Sequence, residues 1–330
     1  LNHMFYEATA FNGSVAGWNT ARATDMQAMF ALAAAFNQPV GTWNTANVRD
    51  FGYMFSEATA FNQPMGSWNT GRATNMQAMF QSAPAFNQPI GTWNTSNVTD
   101  FSFMFARATA FNQPIGGWNT SRATTMQAML QVTAAFNQPI GAWDVSRVTD
   151  MSYLLMNNGV FNQDLSTWNT ASVANMARAF TSNASLDSDF SAWNIANVTD
   201  MSSMFGGAKA MSPARYDALL IAWSAQPVKA AVRFGAGGAK YDTDQALRAR
   251  QRLVDSKGWV IQDSGRAPVP QLTTEAASSV TTTTAILRAS VRPEGRSTSG
   301  LSIRYSSSRA TIESGAGTEA VLSLAGRDPN

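Results

Sequence analysis

Acidic residues recur at a fixed step. Asp25, Asp50, Asp100, Asp150 and Asp200 form one column, with Asn75, Thr125 and Asn175 in the gaps. Carboxylates repeated at one level of a stacked structure could hold calcium, which takes six to eight oxygens and usually several carboxylates. One acid per unit, interrupted every second or third unit, is a poor donor set. The column reads instead as favourable electrostatics at the start of short helices. A threonine column (Thr20, Thr45, Thr70, Thr95, Thr120) has the chemistry of an ice-binding rod, but Val145 and Ile195 share it, so it is expected to face inward. His3 is the single histidine and there is no cysteine. Disulfides, thiolate metal sites and cysteine nucleophiles are therefore excluded. "FGAGG" at Phe234–Gly238 lacks the flanking pattern of a phosphate loop. No Ser/His/Asp triad and no paired acids in a plausible cleft stand out. The sequence thus predicts no catalytic residue, no cofactor and no bound metal.

The columns exist because the chain repeats itself. Trp18, Trp43, Trp68, Trp93, Trp118, Trp143, Trp168 and Trp193 are spaced by 25 residues without one insertion. Phe11, Phe36, Phe61, Phe86, Phe111, Phe136 and Phe161 keep the same step, and Leu186 takes the eighth place. A fixed period of this size means stacked supersecondary units, each touching its neighbours. Within one unit, Trp93 and Thr95 alternate with Asn94, which predicts a short strand with the tryptophan inward. Val98, Phe101, Met104, Phe105 and Ala108 then mark one stripe of a short helix, started by Thr95 or Ser96, and "FNQP" is expected to turn the chain back. Stacking such units gives an α/β repeat solenoid, leucine-rich-repeat-like, with a parallel sheet on one side and short helices on the other. The methionines need no explanation beyond core filling.

A second period, of 50 residues, is superposed. Odd units read "RATDMQAMF" (Arg22–Phe30) and even units "NVRDFGYMF" (Asn47–Phe55). On a helical wheel Tyr53, Phe103 and Tyr153 fall opposite the buried stripe, while odd units carry Ala28, Ala78 and Ala128. This predicts an aromatic row on the helical side, with rings about 10 Å apart. Either each ring folds over its neighbour's alanine, or the row is a contact strip for a partner or a second copy.

The chain has 330 residues, of which 13% are charged, about half the usual fraction. Residues 1–205 hold seven arginines, no lysine and eleven acids, a net charge of −4, whereas residues 206–330 hold 16 bases and ten acids, +6. The repeats lack the basic face of a nucleic-acid binder. No apolar run approaches the ~18–20 residues that span a membrane, and no signal peptide is seen. "LNHMF" at the start matches "MSSMF" at Met201–Phe205, so an upstream part is expected.

"FNQPIGTWNTSNVTDFSFMF" (Phe86–Phe105) resembles the BspA-like leucine-rich-repeat group of bacterial surface proteins, over about residues 1–205. The resemblance implies a secreted or surface-anchored protein acting in adhesion or protein interaction, and no catalytic residues. Residues 206–265 read as helix, strand, helix and strand that cap the open end of the stack; this block too resembles the segment that follows such repeats. Residues 266–272 read as a proline-containing linker. Residues 273–330 resemble the start of a fibronectin type III-like or immunoglobulin-like β-sandwich, too short to be complete. The expected function is non-enzymatic, extracellular, structural or adhesive, with a protein, copies of the chain itself or a surface glycan as partner. A carbohydrate-binding module is the alternative.

Overall fold

In the computed structural model of this chain, residues 1–208 and 211–268 are described in full, together with the backbone of five further strands between residues 271 and 323. The chain forms two compact units, Leu1–Arg266 and Ala267–Asn330.

In the first unit, residues 25 apart lie side by side. Parallel bridges join Asp25 to Asp50, Asp50 to Asn75, and so on through Asn175 to Asp200. The hydrogen bonds follow a fixed rule. The N–H groups of Phe101, Phe103, Phe105 and Arg107 donate to the carbonyls of Thr125, Gln127, Met129 and Gln131 in the next repeat, at 2.7–3.3 Å. The intervening N–H groups of Met104, Ala106 and Ala108 close turns onto the carbonyls of Phe101, Phe103 and Phe105. Alternate amides thus bond between repeats and within one, and no backbone donor in the segment is wasted.

This arrangement corrects the expected helix. The described residues before Pro213 contain no helix, and the stripe Val98, Phe101, Met104, Phe105 and Ala108 is fully buried without one. Two residues per repeat have left-handed backbone, at φ 58° for Phe103 and 63° for Arg107. The same holds at Ala28 and Leu32, Tyr53 and Glu57, Ala78 and Ser82. Successive turns with a left-handed residue every fourth position bury nearly the stripe that a helix would. A helix about 10 Å wide cannot repeat at the spacing of neighbouring strands, about 4.8 Å. The expected strand at Trp93–Thr95 is corrected as well: the parallel ladder runs through the Asp column, and Thr95 uses its hydroxyl to donate to Asn119 O at 2.9 Å.

Side chains reinforce the ladder. Each Asn of "FNQ" accepts from the next repeat: Asn62 Oδ1 takes the N–H of Asn87 at 3.0 Å and Nε2 of Gln88 at 2.9 Å. Asn94 Oδ1 accepts from its own turn, from Ser96 N–H at 3.1 Å. Gly91 is held to glycine by close approach, since a Cβ there would lie 2.4 Å from the carbonyl oxygen of Pro114.

The ladder continues past the last repeat. Strand β1 (Asp200–Met201) pairs in parallel with β2 (Arg233–Gly235), which pairs with β3 (Val260–Gln262). Helix α1 (Pro213–Ser224) is capped by Ser212 and buries Tyr216, Leu219, Leu220 and Trp223. Helix α2 (Asp244–Gln251) is capped by Thr243 and runs into a π turn over Arg252–Ser256. Trp223 meets Phe234 at 5.3 Å between ring centroids, and Phe234 meets Phe205 at 6.3 Å. Gln226 completes the edge of the last repeat: its Oε1 accepts from Ile195 N–H at 2.8 Å and its Nε2 donates to Trp193 O at 2.9 Å. One side chain therefore satisfies both a donor and an acceptor on the exposed edge of the last repeat.

In the second unit, β4 (Gln271–Thr274), β5 (Ile286–Arg292) and β8 (Glu319–Ser323) form an antiparallel sheet in the order β4-β5-β8. Strands β6 (Ser302–Tyr305) and β7 (Ser308–Thr311) pair antiparallel. The expected Pro-Glu-Gly turn at 293–295, and most of the segment likened to a fibronectin or immunoglobulin module, lie outside the described residues.

The capping block contains one buried charge network. Asp263, with 2% of its side chain exposed, receives Arg250 Nε at 2.8 Å and the Tyr216 hydroxyl at 2.7 Å. Burial above all, then the Asp263 charge and its hydrogen bond, raise the Tyr216 ionisation far above 10. Below pH ~10 the tyrosine is neutral in both folded and unfolded chains; above it only the unfolded chain loses the proton. Stability is therefore expected to fall by up to ~1.4 kcal/mol per pH unit above pH ~10 from this group alone. Urea midpoints measured from about pH 9 to 11 should show this slope, and Tyr216→Phe should remove its share.

Candidate functional site

The buried columns come first, because they decide which side chains remain free. Trp43 through Trp193 are at most 4% exposed, while Trp18 is half-buried. Six neighbouring pairs stack at 6.1–6.5 Å. Each buried indole also donates across the stack: Trp93 Nε1 reaches Met65 O at 3.1 Å, and Trp118 reaches Ile90 O at 3.1 Å. Trp223 of the capping block does the same to Phe190 O at 3.1 Å. The tryptophans are cross-links between repeats, facing inward. The Thr20 column is likewise buried and donates to the following repeat.

The Asp column performs turn chemistry. Asp50 Oδ1 accepts from Gly52 N–H at 2.7 Å and Asp100 Oδ1 from Ser102 N–H at 2.8 Å. Asn75 Nδ2 donates to Asp50 at 3.1 Å, filling the gap between acids with a neutral partner. These carboxylates begin tight turns, not helices, which corrects the helix-start reading. Among the described residues, no group of three or more His, Cys, Asp and Glu side chains could hold a metal ion.

Three surface features remain. An open depression of about 430 Å³ is lined by Asp164, Asp187 and Asp189, where the repeat departs from "FNQP"; Arg215 pairs with Asp187 at 3.1 Å. The N–H and hydroxyl of Ser166 hold the Asp164 carboxyl below its ordinary range. A second groove of about 430 Å³ is bounded by Arg178, Arg233, Ser202 and Gln262.

The third feature is the aromatic row. Tyr53, Phe103 and Tyr153 are half-buried, with left-handed φ of 58–60°. Their N–H groups donate along the ladder, to Gln77 O, Gln127 O and Ala177 O at 2.8–2.9 Å. The row therefore lies on the parallel ladder rather than on a helical side, a second correction. Ala28, Ala78 and Ala128 between the rings are buried, at most 4% exposed. Arg178 continues the column after Tyr153, its guanidinium carbon 5.7 Å from the ring centroid. A groove of about 400 Å³ opens beside Tyr53, lined also by His3, Tyr6, Ala28 and Leu32, with Gln27, Gln81 and Glu57 as polar groups. Half-buried Gln27, Gln77 and Gln127 alternate with the rings. Sequence reasoning passed over these glutamines, although their 50-residue period was readable in "MQAM".

The family described as "Mycoplasma protein of unknown function, DUF285" matches residues 1–90, 65–159 and 139–234. The chain belongs to that family. The three overlapping matches follow the repeats and extend through α1 into β2. No curated protein and no solved structure matches the chain. Among the described residues no helix is long and apolar enough to cross a membrane.

The indole cross-links are expected to govern stability. Trp93→Phe removes a buried N–H donor and should cost ~1–2 kcal/mol, and Trp93→Ala should cost ~3–5 kcal/mol. Denaturant unfolding of the two variants against the parent chain checks both values.

Proposed function

We propose that this chain is a non-enzymatic structural or adhesive protein working outside the cell or at its surface, of the BspA-like leucine-rich-repeat class. It acts by presenting a repetitive face to a binding partner or to copies of itself. The observation that carries this reading is the division of labour among side chains. The Asp, Asn, Thr and Trp columns spend their polar groups on turns and on neighbouring repeats, as Asp50, Asn62, Thr95 and Trp93 do. The column of Tyr53, Phe103 and Tyr153 is left half-exposed on a periodic surface. Aromatic side chains in such positions are the usual anchors of interfaces. A carbohydrate-binding module is the second reading, favoured by the glutamines beside those rings.

The triple variant Tyr53→Ser, Phe103→Ser, Tyr153→Ser tests the assignment. Beads coated with parent or variant protein are compared for adhesion to immobilised matrix proteins and polysaccharides, and both proteins for self-association in solution. The variant is expected to keep the parent's circular dichroism and lose adhesion or assembly. A folded variant that adheres and assembles like the parent rules the strip out as the contact surface.

A further inference from the structure

We infer that the row Tyr53–Phe103–Tyr153 is a platform for one extended, β-1,4-linked polysaccharide chain. The inference rests on the strip being the contact face and adds the chemistry of what lies on it.

Spacing is the first argument. The rings recur every second repeat, and the repeats are joined by parallel bridges, so they recur at about 10 Å. That is the length of one disaccharide in an extended β-1,4-linked chain, in which every second sugar presents the same face. An extended peptide does not match, because its same-face side chains recur at about 6.7 Å and residues three apart point to opposite sides. A 1,4-linked chain with axial linkages coils and loses the register.

The chemistry of the strip is the second argument. Equatorially substituted sugars carry C–H groups on their faces and hydroxyls around their edges. The faces suit aromatic rings over a small-residue floor, here Ala28, Ala78 and Ala128. The edges need donors and acceptors, which amides supply together. Gln27, Gln77 and Gln127 stand one repeat from the rings at the same 50-residue period, half-buried, each with an amide that can donate and accept, the Gln27 oxygen already accepting from Asn2 Nδ2 at 3.4 Å. The groove beside Tyr53 shares the rings and amides, with His3, Tyr6 and Tyr53 beside Gln27 and Gln81, and adds one carboxylate, Glu57. A second copy laid on the strip would instead press its own rings onto the amides, and burying an amide without a partner is unfavourable.

The column also permits a clean test. Ala28, Ala78 and Ala128 occupy the equivalent positions with φ of 51–52°, so Tyr53→Ala, Phe103→Ala and Tyr153→Ala place in even repeats the residue that odd repeats already carry. Calorimetric titration of the full chain with cellohexaose, chitohexaose, cellobiose and maltohexaose is the experiment. Tyr53 and Tyr153 are about 20 Å apart, four repeats, so a β-1,4-linked hexasaccharide should engage all three rings and bind more tightly than cellobiose. Each ring removed should weaken hexasaccharide binding roughly tenfold, the scale of a buried aromatic contact, and the triple alanine variant should not bind. Maltohexaose should not bind the parent. The inference is overturned if neither β-linked hexasaccharide binds the folded parent, if maltohexaose binds equally well, or if the triple variant binds as the parent does. Sedimentation of both proteins without sugar separates the two claims. If no glycan binds but the triple variant loses self-association, the glycan is wrong and the strip remains the contact face. If the variant changes neither, both claims fall.

Discussion

The amides of Phe101, Phe103, Phe105 and Arg107 leave their own repeat and donate to the next, and the rest of the structure depends on those bonds. The amides between them close turns within the repeat, so the segment is both paired and folded back on itself. This fixes the residue count. A bond from position i to position i+24 survives only if the intervening chain never changes length, which is why eight tryptophans keep a step of 25 without an insertion. It also fixes the backbone, since a left-handed residue every fourth position turns alternate N–H groups toward the neighbouring repeat.

Once the ladder is set, most polar chemistry is spoken for. The indole N–H of Trp93, the hydroxyl of Thr95, the carboxamide of Asn62 and the carboxylate of Asp100 each satisfy a backbone group of their own or an adjacent repeat. Residues that look like a metal ladder or an ice-binding array in the sequence are the fasteners of the stack. The same logic reaches the capping block, where Trp223 reproduces, from outside the period, the indole bond of a further repeat, and Gln226 satisfies the edge at Trp193 and Ile195. On the ladder, the 50-residue alternation of half-buried ring and buried alanine is the feature that the stack itself does not require.

Burial in the repeats was legible and conformation was not. Val98, Phe101, Met104, Phe105 and Ala108 were identifiable as an inward set because burial follows apolar spacing, and they are buried. Their spacing points to a helix because a run of turns with a left-handed residue at every fourth place has nearly the same stripe. Nothing in the side chains announces φ > 0 when the residues are Phe103 and Arg107 rather than glycine. For the same reason Asp100 has the sequence signature of a helix-start charge, although its carboxylate is a turn acceptor. In residues 206–265, local signals sufficed: Ser212 with Pro213 and Thr243 mark helix starts, and both cap their helices. Gln226 and Asp263 gave no such signal, since their roles arise from partners more than ten residues away. For the strip, the identity of the rings was readable from the 50-residue period, but their place on the ladder needed the backbone.

The central claim is that register between repeats, rather than structure inside any one of them, holds the fold. Thermal unfolding followed by circular dichroism tests it most directly, on two variants of the full chain. One lacks a whole repeat, residues 76–100; the other carries a single alanine inserted between Phe103 and Met104. The account predicts that the 25-residue deletion still unfolds in one cooperative transition, whereas the one-residue insertion, which displaces the ladder bonds of Phe105 and Arg107, lowers the midpoint more or splits the transition. An insertion tolerated as well as the parent, or a whole-repeat deletion that abolishes folding, would contradict it.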